Sequence, residues 1–183
     1  MRIRLPIIRL GIRALLIAGF LSVPCIYASE VADSEHVSKL LSDAKTMAFQ
    51  LKEDAVAMES FTRMELSWQS HVQAITQIKE HVNALARQTE KLKAARDSAS
   101  PWQKIAINRI TPFLDELGGY TTAAIEHING DRKHTLADYR DYLEANADYA
   151  TDLAAMIGNF VDYGEAKDRR ERLGAKLEIP ATR

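Results

Sequence analysis

Five polar residues occupy positions where the spacing of apolar side chains predicts a helix core, and these residues could do chemistry. They are Asp54, His71, Thr121, Tyr139 and Asn146. The depth of each is counted from the end of the predicted fold where the first helix meets the second and the third meets the fourth. At 1.5 Å per residue, all of them except Tyr139 lie roughly 6 to 16 Å below that end. Tyr139 lies at the top of the same half. The spacing therefore predicts one buried polar layer.

Two interpretations of this layer stay open. In the first, Asp54 hydrogen-bonds His71 and Asn146 hydrogen-bonds Thr121, and the network fixes the register of the helices. In the second, the layer is a pocket for a small ligand or a metal, with Asp54 and His71 as first contacts. A single imidazole and a single carboxylate are too few ligands for tight binding of a transition metal.

Motifs typical of enzymes and of cofactor sites are missing from the sequence. No histidine has a glutamate three residues before it, as a di-iron bundle requires. There is no His-Glu-x-x-His, no glycine-rich phosphate loop and no serine nucleophile elbow. We therefore predict no catalytic residue, no metal ligand set and no cofactor, and we expect the protein not to be an enzyme.

Apolar residues recur at spacings of three and four along four segments, which is typical of helices that bury one stripe. The segments cover about 34–61, 68–97, 101–129 and a fourth that starts near Leu136. Four such helices with short connections predict an all-α, antiparallel up-down-up-down four-helix bundle. The bundle should span 29–164, followed by a charged extension over 165–183.

Residues at the helix ends agree with this division. Ser67 and Ser100 are the expected N-caps of the second and third helices, and Gln103 completes a capping box with Ser100. "TLAD" at 135–138 predicts a similar start for the fourth helix. Gly130 is expected to end the third helix in the left-handed conformation.

The first 28 residues have the composition of an export signal. Arg2, Arg4, Arg9 and Arg13 precede the short apolar run "ALLIAGFLSVPCIYA", with cleavage expected after Ala28. That run is shorter than the roughly 20 residues that span a bilayer. We expect an exported protein, periplasmic or extracellular in a bacterium, without stable membrane insertion once the signal is cleaved. An uncleaved signal that anchors a sensor-like periplasmic bundle is the alternative.

Charge and cysteine content exclude further classes. Loss of four arginines with the signal takes the net charge from −1 to about −5. An acidic chain is a poor partner for nucleic acid, whose binding depends on Lys and Arg. The single cysteine, Cys25, lies in the signal. The mature chain therefore has no disulfide and no thiolate site.

Other chemistry-bearing side chains have ordinary explanations. Tyr142 and Tyr149 flank the apolar stripe of the fourth helix, where amphipathic side chains are common. His127 and His134 flank the third loop and are expected to be exposed there, as a surface metal clip or pH-sensitive turn at most.

The stretches "AFQLKEDAVAMESF", "SWQSHV" and "YLEANADYATDLAAMI" resemble a group of predicted-secreted bacterial all-helical proteins with no assigned function. The resemblance covers most of the mature chain. It implies a bacterial, exported, helical protein and transfers no functional residues. The sequence as a whole predicts a binding or interaction module for an unknown protein or envelope component. A ligand- or metal-binding bundle is the runner-up.

Overall fold

The computed structural model describes residues 31–64, 66–131 and 137–179. The predicted signal peptide at 1–28 lies outside these residues. The described residues form four α-helices: α1 (Glu35–Ser60), α2 (Trp68–Ala94), α3 (Pro101–Asp131) and α4 (Ala137–Lys176). Short 3-10 turns follow the first two helices, at Phe61–Arg63 and Arg96–Ser98.

Each helix packs along its length against two neighbours, α1 with α2 and α4, and α3 with α2 and α4. This closed ring with short connections is the predicted all-α four-helix bundle. The predicted helix boundaries agree with the observed ones to within a few residues, except at the two ends discussed below. Within the described ranges, no helix is both long enough and apolar enough to cross a bilayer.

Capping side chains begin the first three helices. The Oγ of Ser34 accepts a hydrogen bond from the backbone of Val37 at 3.4 Å, and Ser67 accepts one from Ser70 at 3.2 Å. Gln103 Oε1 accepts the backbone N–H of Ser100 at 2.9 Å, which is one half of a capping box. The prediction for Ser67 is therefore confirmed. Of the capping box predicted for Ser100 and Gln103, only the Gln103 half forms, because no N–H of the described residues donates to the Ser100 hydroxyl. The first two residues of the "TLAD" start, 135 and 136, lie outside the described residues, and α4 is described from Ala137.

Gly130 and Gly164, which the sequence suggested as the ends of the third helix and of the bundle, both lie inside helices. The prediction that Gly130 ends α3 in the left-handed conformation is wrong, because α3 continues through Asp131 and no described glycine has a positive φ. The boundary expected at 164/165 also has no counterpart in the backbone, since α4 runs through Gly164 to Lys176. Glu178, at φ 53°, then ends the helix, and the Ile179 N–H bonds the Gly174 carbonyl at 3.0 Å.

The core contains the aliphatic stripes of all four helices. On α1 the buried stripe passes through Ala48, Leu51, Ala55 and Met58. The alanines at 48 and 55 bring the backbone of α1 close to its neighbours. Because 54 and 55 are separated by about 100° around the helix, burial of Ala55 leaves Asp54 at the margin of the core.

Candidate functional site

Asp54 is not part of the buried layer, and the predicted contact between Asp54 and His71 is wrong. Asp54 is half-buried at the edge between α1 and α2, where its Oδ2 lies 2.5 Å from Nδ1 of His81. His81 is itself half-buried and lies ten residues after His71 on α2. The sequence prediction failed because periodicity alone did not distinguish position 54 from position 55 as the core position.

His71 is fully buried, as predicted, beside Tyr139. Its Nδ1 lies 3.3 Å from the Tyr139 hydroxyl, and the ring of Phe61 meets its ring edge-on at 5.9 Å between centroids. Burial raises the pKa of Tyr139 well above its ordinary value, so the phenol stays neutral at physiological pH. Tyr139 and His71 thus form one hydrogen-bonded contact between α2 and α4.

His127 belongs to the same cluster, although the sequence analysis expected it to be exposed beside the third loop. Its ring stacks on Tyr139 at 19° and 5.6 Å, and it meets Tyr142 edge-on at 6.3 Å. The signal that would have identified it is helical spacing: His127 follows buried Ala124 by three residues and precedes buried Ile128 by one. A long α3 that continues to Asp131 holds His127 on a helix.

Thr121 and Asn146 are buried and form the predicted contact. The Thr121 hydroxyl lies 2.7 Å from Asn146 Oδ1 and 2.8 Å from the Leu117 carbonyl, so its one proton is shared between two acceptors. The Asn146 amide N–H donates to the Tyr142 carbonyl at 3.0 Å. This pair bridges α3 and α4 and satisfies its own polar groups.

The five predicted residues therefore do not converge on one point. Tyr139 and His71 form one contact, Thr121 and Asn146 form a second, and Asp54 forms a third with His81. In the part of the chain that the structure describes, no three His, Cys, Asp or Glu side chains form a group that could hold a metal ion. The geometry favours local pairs that fix helix register over a ligand pocket.

At one end of the bundle, a polar cluster ties the segment before α1 to α3 and α4. Asp33 Oδ1 accepts a hydrogen bond from Trp102 Nε1 at 2.8 Å and from Lys167 Nζ at 3.2 Å. Burial acts to raise the pKa of Asp33, but the nearby hydroxyl of Ser100, the hydrogen bonds from Trp102 and Lys167 and the charge of Lys167 outweigh it and lower that pKa. Asp33 is therefore an ionised anchor.

Gln103 connects the beginnings of α1 and α3 at the same end. Its Oε1 accepts the Ser34 N–H at 3.1 Å, and its Nε2 donates to the Ser34 carbonyl and to Ser38 Oγ, both at 3.0 Å. The sequence identified Gln103 as a local cap, but it could not show that the same amide reaches a residue 69 positions away. These bonds fix the register of α1 against α3.

Trp102 packs directly on the backbone of α4. A Cβ at Gly164 would lie 2.8 Å from Cη2 of Trp102, closer than side chains normally approach. The indole also meets Tyr163 edge-on at 5.4 Å between centroids. Gly164 therefore permits the close approach of α3 and α4 at this end.

Beside Trp102, an open groove of about 550 Å³ lies between the outer faces of α3 and α4. We call it the α3–α4 groove. Its wall on α3 is formed by Trp102, Arg109 and Phe113. Its floor and second wall come from α4, and the residues there are Asp152, Ala155, Met156, Asn159, Phe160 and Tyr163. From Trp102 to Phe113 the groove is roughly 16 Å long, at 1.5 Å per residue.

Aromatic contacts continue past the groove along α3 and α4. Phe113 meets Tyr149 at 6.2 Å between centroids, and Tyr149 meets Tyr120 at 5.3 Å. Neighbouring Tyr120, partial burial, and then the charges of Glu116 and Asp152 raise the pKa of Tyr149. The aromatic strip therefore ends in an acidic region.

Charges of opposite sign lie on the two walls of the groove. Arg109 is on α3 and Asp152 is on α4, and neither forms an ion pair with another described residue. Both are therefore available to an incoming partner.

Comparison with known proteins does not place the chain in a family. No family model, no curated protein and no solved structure matches it. The α3–α4 groove and its charges are therefore the observations on which a function can be argued.

Proposed function

We propose that this protein is an exported binding module that docks another protein on its α3–α4 groove. The observation that carries the proposal is the groove itself: an open, mainly apolar surface whose walls carry Arg109 and Asp152, which pair with no other described residue. A folded chain gains nothing from leaving such a surface in water, since burial of apolar area contributes about 25 cal/mol per Å².

The side chains of the groove are those that protein interfaces favour. Trp, Tyr, Phe, Met and Arg are enriched at interface cores, and Trp, Tyr and Arg dominate their binding energy. All five types line the groove, as Trp102, Tyr163, Phe160, Met156 and Arg109. Tyr163 is 55% exposed although it is a large ring beside Trp102.

The form of the groove favours an elongated partner over a compact small molecule. It is open to solvent along its length, and the aromatic contacts run on from Phe113 through Tyr149 to Tyr120. From residue 102 to residue 120 this strip is roughly 27 Å long on α3. A helix laid in a groove is a recurring mode of recognition that suits this length.

Photo-crosslinking in the cells that produce the protein tests this proposal. A benzophenone side chain at position 155, on the wall of the groove, is compared with the same group at position 83. Ala155 and Asn83 are both exposed, but Asn83 is on α2, which is diagonally opposite α4 in the ring.

We expect a discrete protein adduct from position 155 that is absent from position 83. Adding Phe113→Ala or Phe160→Ala to the position-155 protein should reduce the adduct severalfold, because each removes an apolar anchor. Equal adducts from both positions, or no adduct from position 155, would refute docking at the groove.

Export is the second part of the proposal, and it is supported by the basic and apolar composition of residues 1–28. The intact mass of the protein from its own cell tests it. Cleavage after Ala28 predicts a chain that begins at Ser29. A full-length chain in the membrane pellet would instead support a signal-anchored bundle, and a full-length chain in the cytoplasm would refute export.

A further inference from the structure

The end of α4 presents a second unpartnered apolar surface, which lies outside the bundle. Lys167 is level with Asp33, just before α1 begins, so the residues after it extend past the other helices. In this segment Leu173 is 51% exposed, Leu177 is 63% exposed and Ile179 is 57% exposed. We call residues 168–179 the tail.

The tail and the groove share one face of α4. Eighteen residues make five turns of an α-helix, so residues 18 apart point in the same direction. Leu173 is therefore aligned with Ala155, Leu177 with Asn159, and Arg170 with Asp152. The exposed leucines of the tail therefore project from the same side of α4 as Ala155 and Asn159 in the groove.

The charges of the two surfaces are complementary. Four bases, Arg169, Arg170, Arg172 and Lys176, and one acid, Glu171, lie within residues 169–176 of the tail, and Asp168 and Glu178 lie at its two ends. The far end of the groove is acidic: Asp152 is on its wall, Asp148 lies one turn further along α4, and Glu116 faces them near Tyr149. Complementary charges of this kind fix register and accelerate association.

We infer that the occupant of the α3–α4 groove is the tail of a second copy of this chain, in a two-fold symmetric dimer. The inference rests on the proposed function, since it names the partner of that groove. Groove and tail lie on one face of one helix, so two copies of α4 packed antiparallel exchange both contacts at once. Such a contact is isologous and closes at two subunits.

The midpoint of the pairing follows from the alignment. If the two-fold axis lies on the exposed side of α4, at the level of Gly164 along the helix, Leu173 of each copy lies opposite Ala155 of the other. Lys176 then lies opposite Asp152. The large side chain of Leu173 fits over the small side chain of Ala155. Lys176 of one copy forms an ion pair with Asp152 on the groove wall of the other. The tail spans roughly 18 Å, close to the length of the groove.

Sedimentation equilibrium of the mature chain tests the dimer with two exposed substitutions, Leu173→Glu in the tail and Ala155→Arg in the groove. Each should raise the dimer dissociation constant by at least about tenfold. Both positions are solvent-exposed in the monomer, so the midpoint of urea unfolding should stay unchanged when it is measured on dilute protein.

Mixing the two variants separates this pairing from other dimers. In the mixed dimer, one contact has both native residues, and the other places the introduced glutamate opposite the introduced arginine. We therefore expect the mixture to dimerise although neither variant does alone. Val56→Glu is the control, because Val56 is an exposed apolar residue on α1, and this variant should dimerise like the native chain.

Three results would overturn the inference. The first is a native chain that stays monomeric. If position 155 still captures a different protein in that case, the proposed function survives and the second copy does not. The second is a dimer that neither substitution weakens, which would place the interface elsewhere. The third is a monomer whose Leu173 is needed for co-sedimentation with phosphatidylglycerol vesicles, which would assign the tail to a membrane surface.

Discussion

At the scale of single residues, polar side chains that the helical spacing placed in the core have different surroundings. Thr121, Asn146, His71 and Tyr139 are buried where helical spacing placed them. Asp54 is at the margin, because both 54 and 55 are compatible with the apolar rhythm and the small Ala55 packs more closely. Periodicity gives the direction of a side chain to within about one residue, or 100°. It does not identify a polar partner on another helix.

Because Thr121 and Asn146 are hydrogen-bonded to each other, we expect their substitutions to have coupled effects on the free energy of unfolding. Thr121→Val preserves volume but leaves Asn146 Oδ1 buried without its donor, so we expect a loss of about 1–3 kcal/mol in the free energy of unfolding. Asn146→Leu should cost a similar amount. The double variant should lose less than the sum of the two, as urea denaturation of all four proteins will show. Simple additivity would mean that the hydroxyl and the amide do not interact.

Because Asp33 is an ionised anchor, its contribution to the free energy of unfolding should be lost at acid pH. Its pKa is lower in the folded chain than the ordinary value of about 3.9, so folding stabilises the ionised form. This contribution is complete above the ordinary pKa and is lost as the pH falls through the lower folded pKa. We therefore expect the difference in unfolding free energy between the native chain and Asp33→Asn to shrink as the pH falls below about 4.

The exposed Asp43 provides the matched control for this titration. Asp43→Asn on α1 should follow the pH profile of the native chain, as measured by urea unfolding at each pH. A gap between the native chain and Asp33→Asn that stays constant to the lowest pH would contradict the ionised anchor.

At the scale of elements, the four helices and their caps were predictable because they depend on local sequence. The role of Gly130 at the end of α3 and the length of α4 were not. A glycine can cap a helix or can permit a neighbouring side chain to approach, and one sequence does not distinguish these roles. Gly164 illustrates the second role, since its missing Cβ leaves room for Trp102.

Gly164→Ala should therefore destabilise the bundle although alanine is the better helix former. The new Cβ would meet Trp102 at 2.8 Å, so we expect a loss of about 1–3 kcal/mol, as other overpacked cores show. Gly118→Ala in α3 is the matched control, because no atom lies within 4 Å of its new Cβ. That variant should gain up to about 1 kcal/mol. Thermal unfolding that ranks the two variants in the opposite order would contradict close packing at Gly164.

At the scale of the whole molecule, the bundle was predictable and the groove was not. A four-helix ring follows from four amphipathic segments with short connections. The groove depends on which outer faces become neighbours and on how far apart Gly164 and Trp102 allow them to lie. Tyr163 and Phe160 form a surface with Trp102 only because α3 and α4 lie side by side.

Hydroxyl-radical footprinting of the protein in the cells that produce it tests docking at the α3–α4 groove most directly. Tyr163 in the groove and Met64 after α1 are 55% and 58% exposed, so each is an accessible reporter in the isolated monomer. We predict that Tyr163 is oxidised severalfold less in the cell than in dilute purified protein, while the oxidation of Met64 is unchanged. Oxidation of Tyr163 at the same rate in both settings would contradict the account.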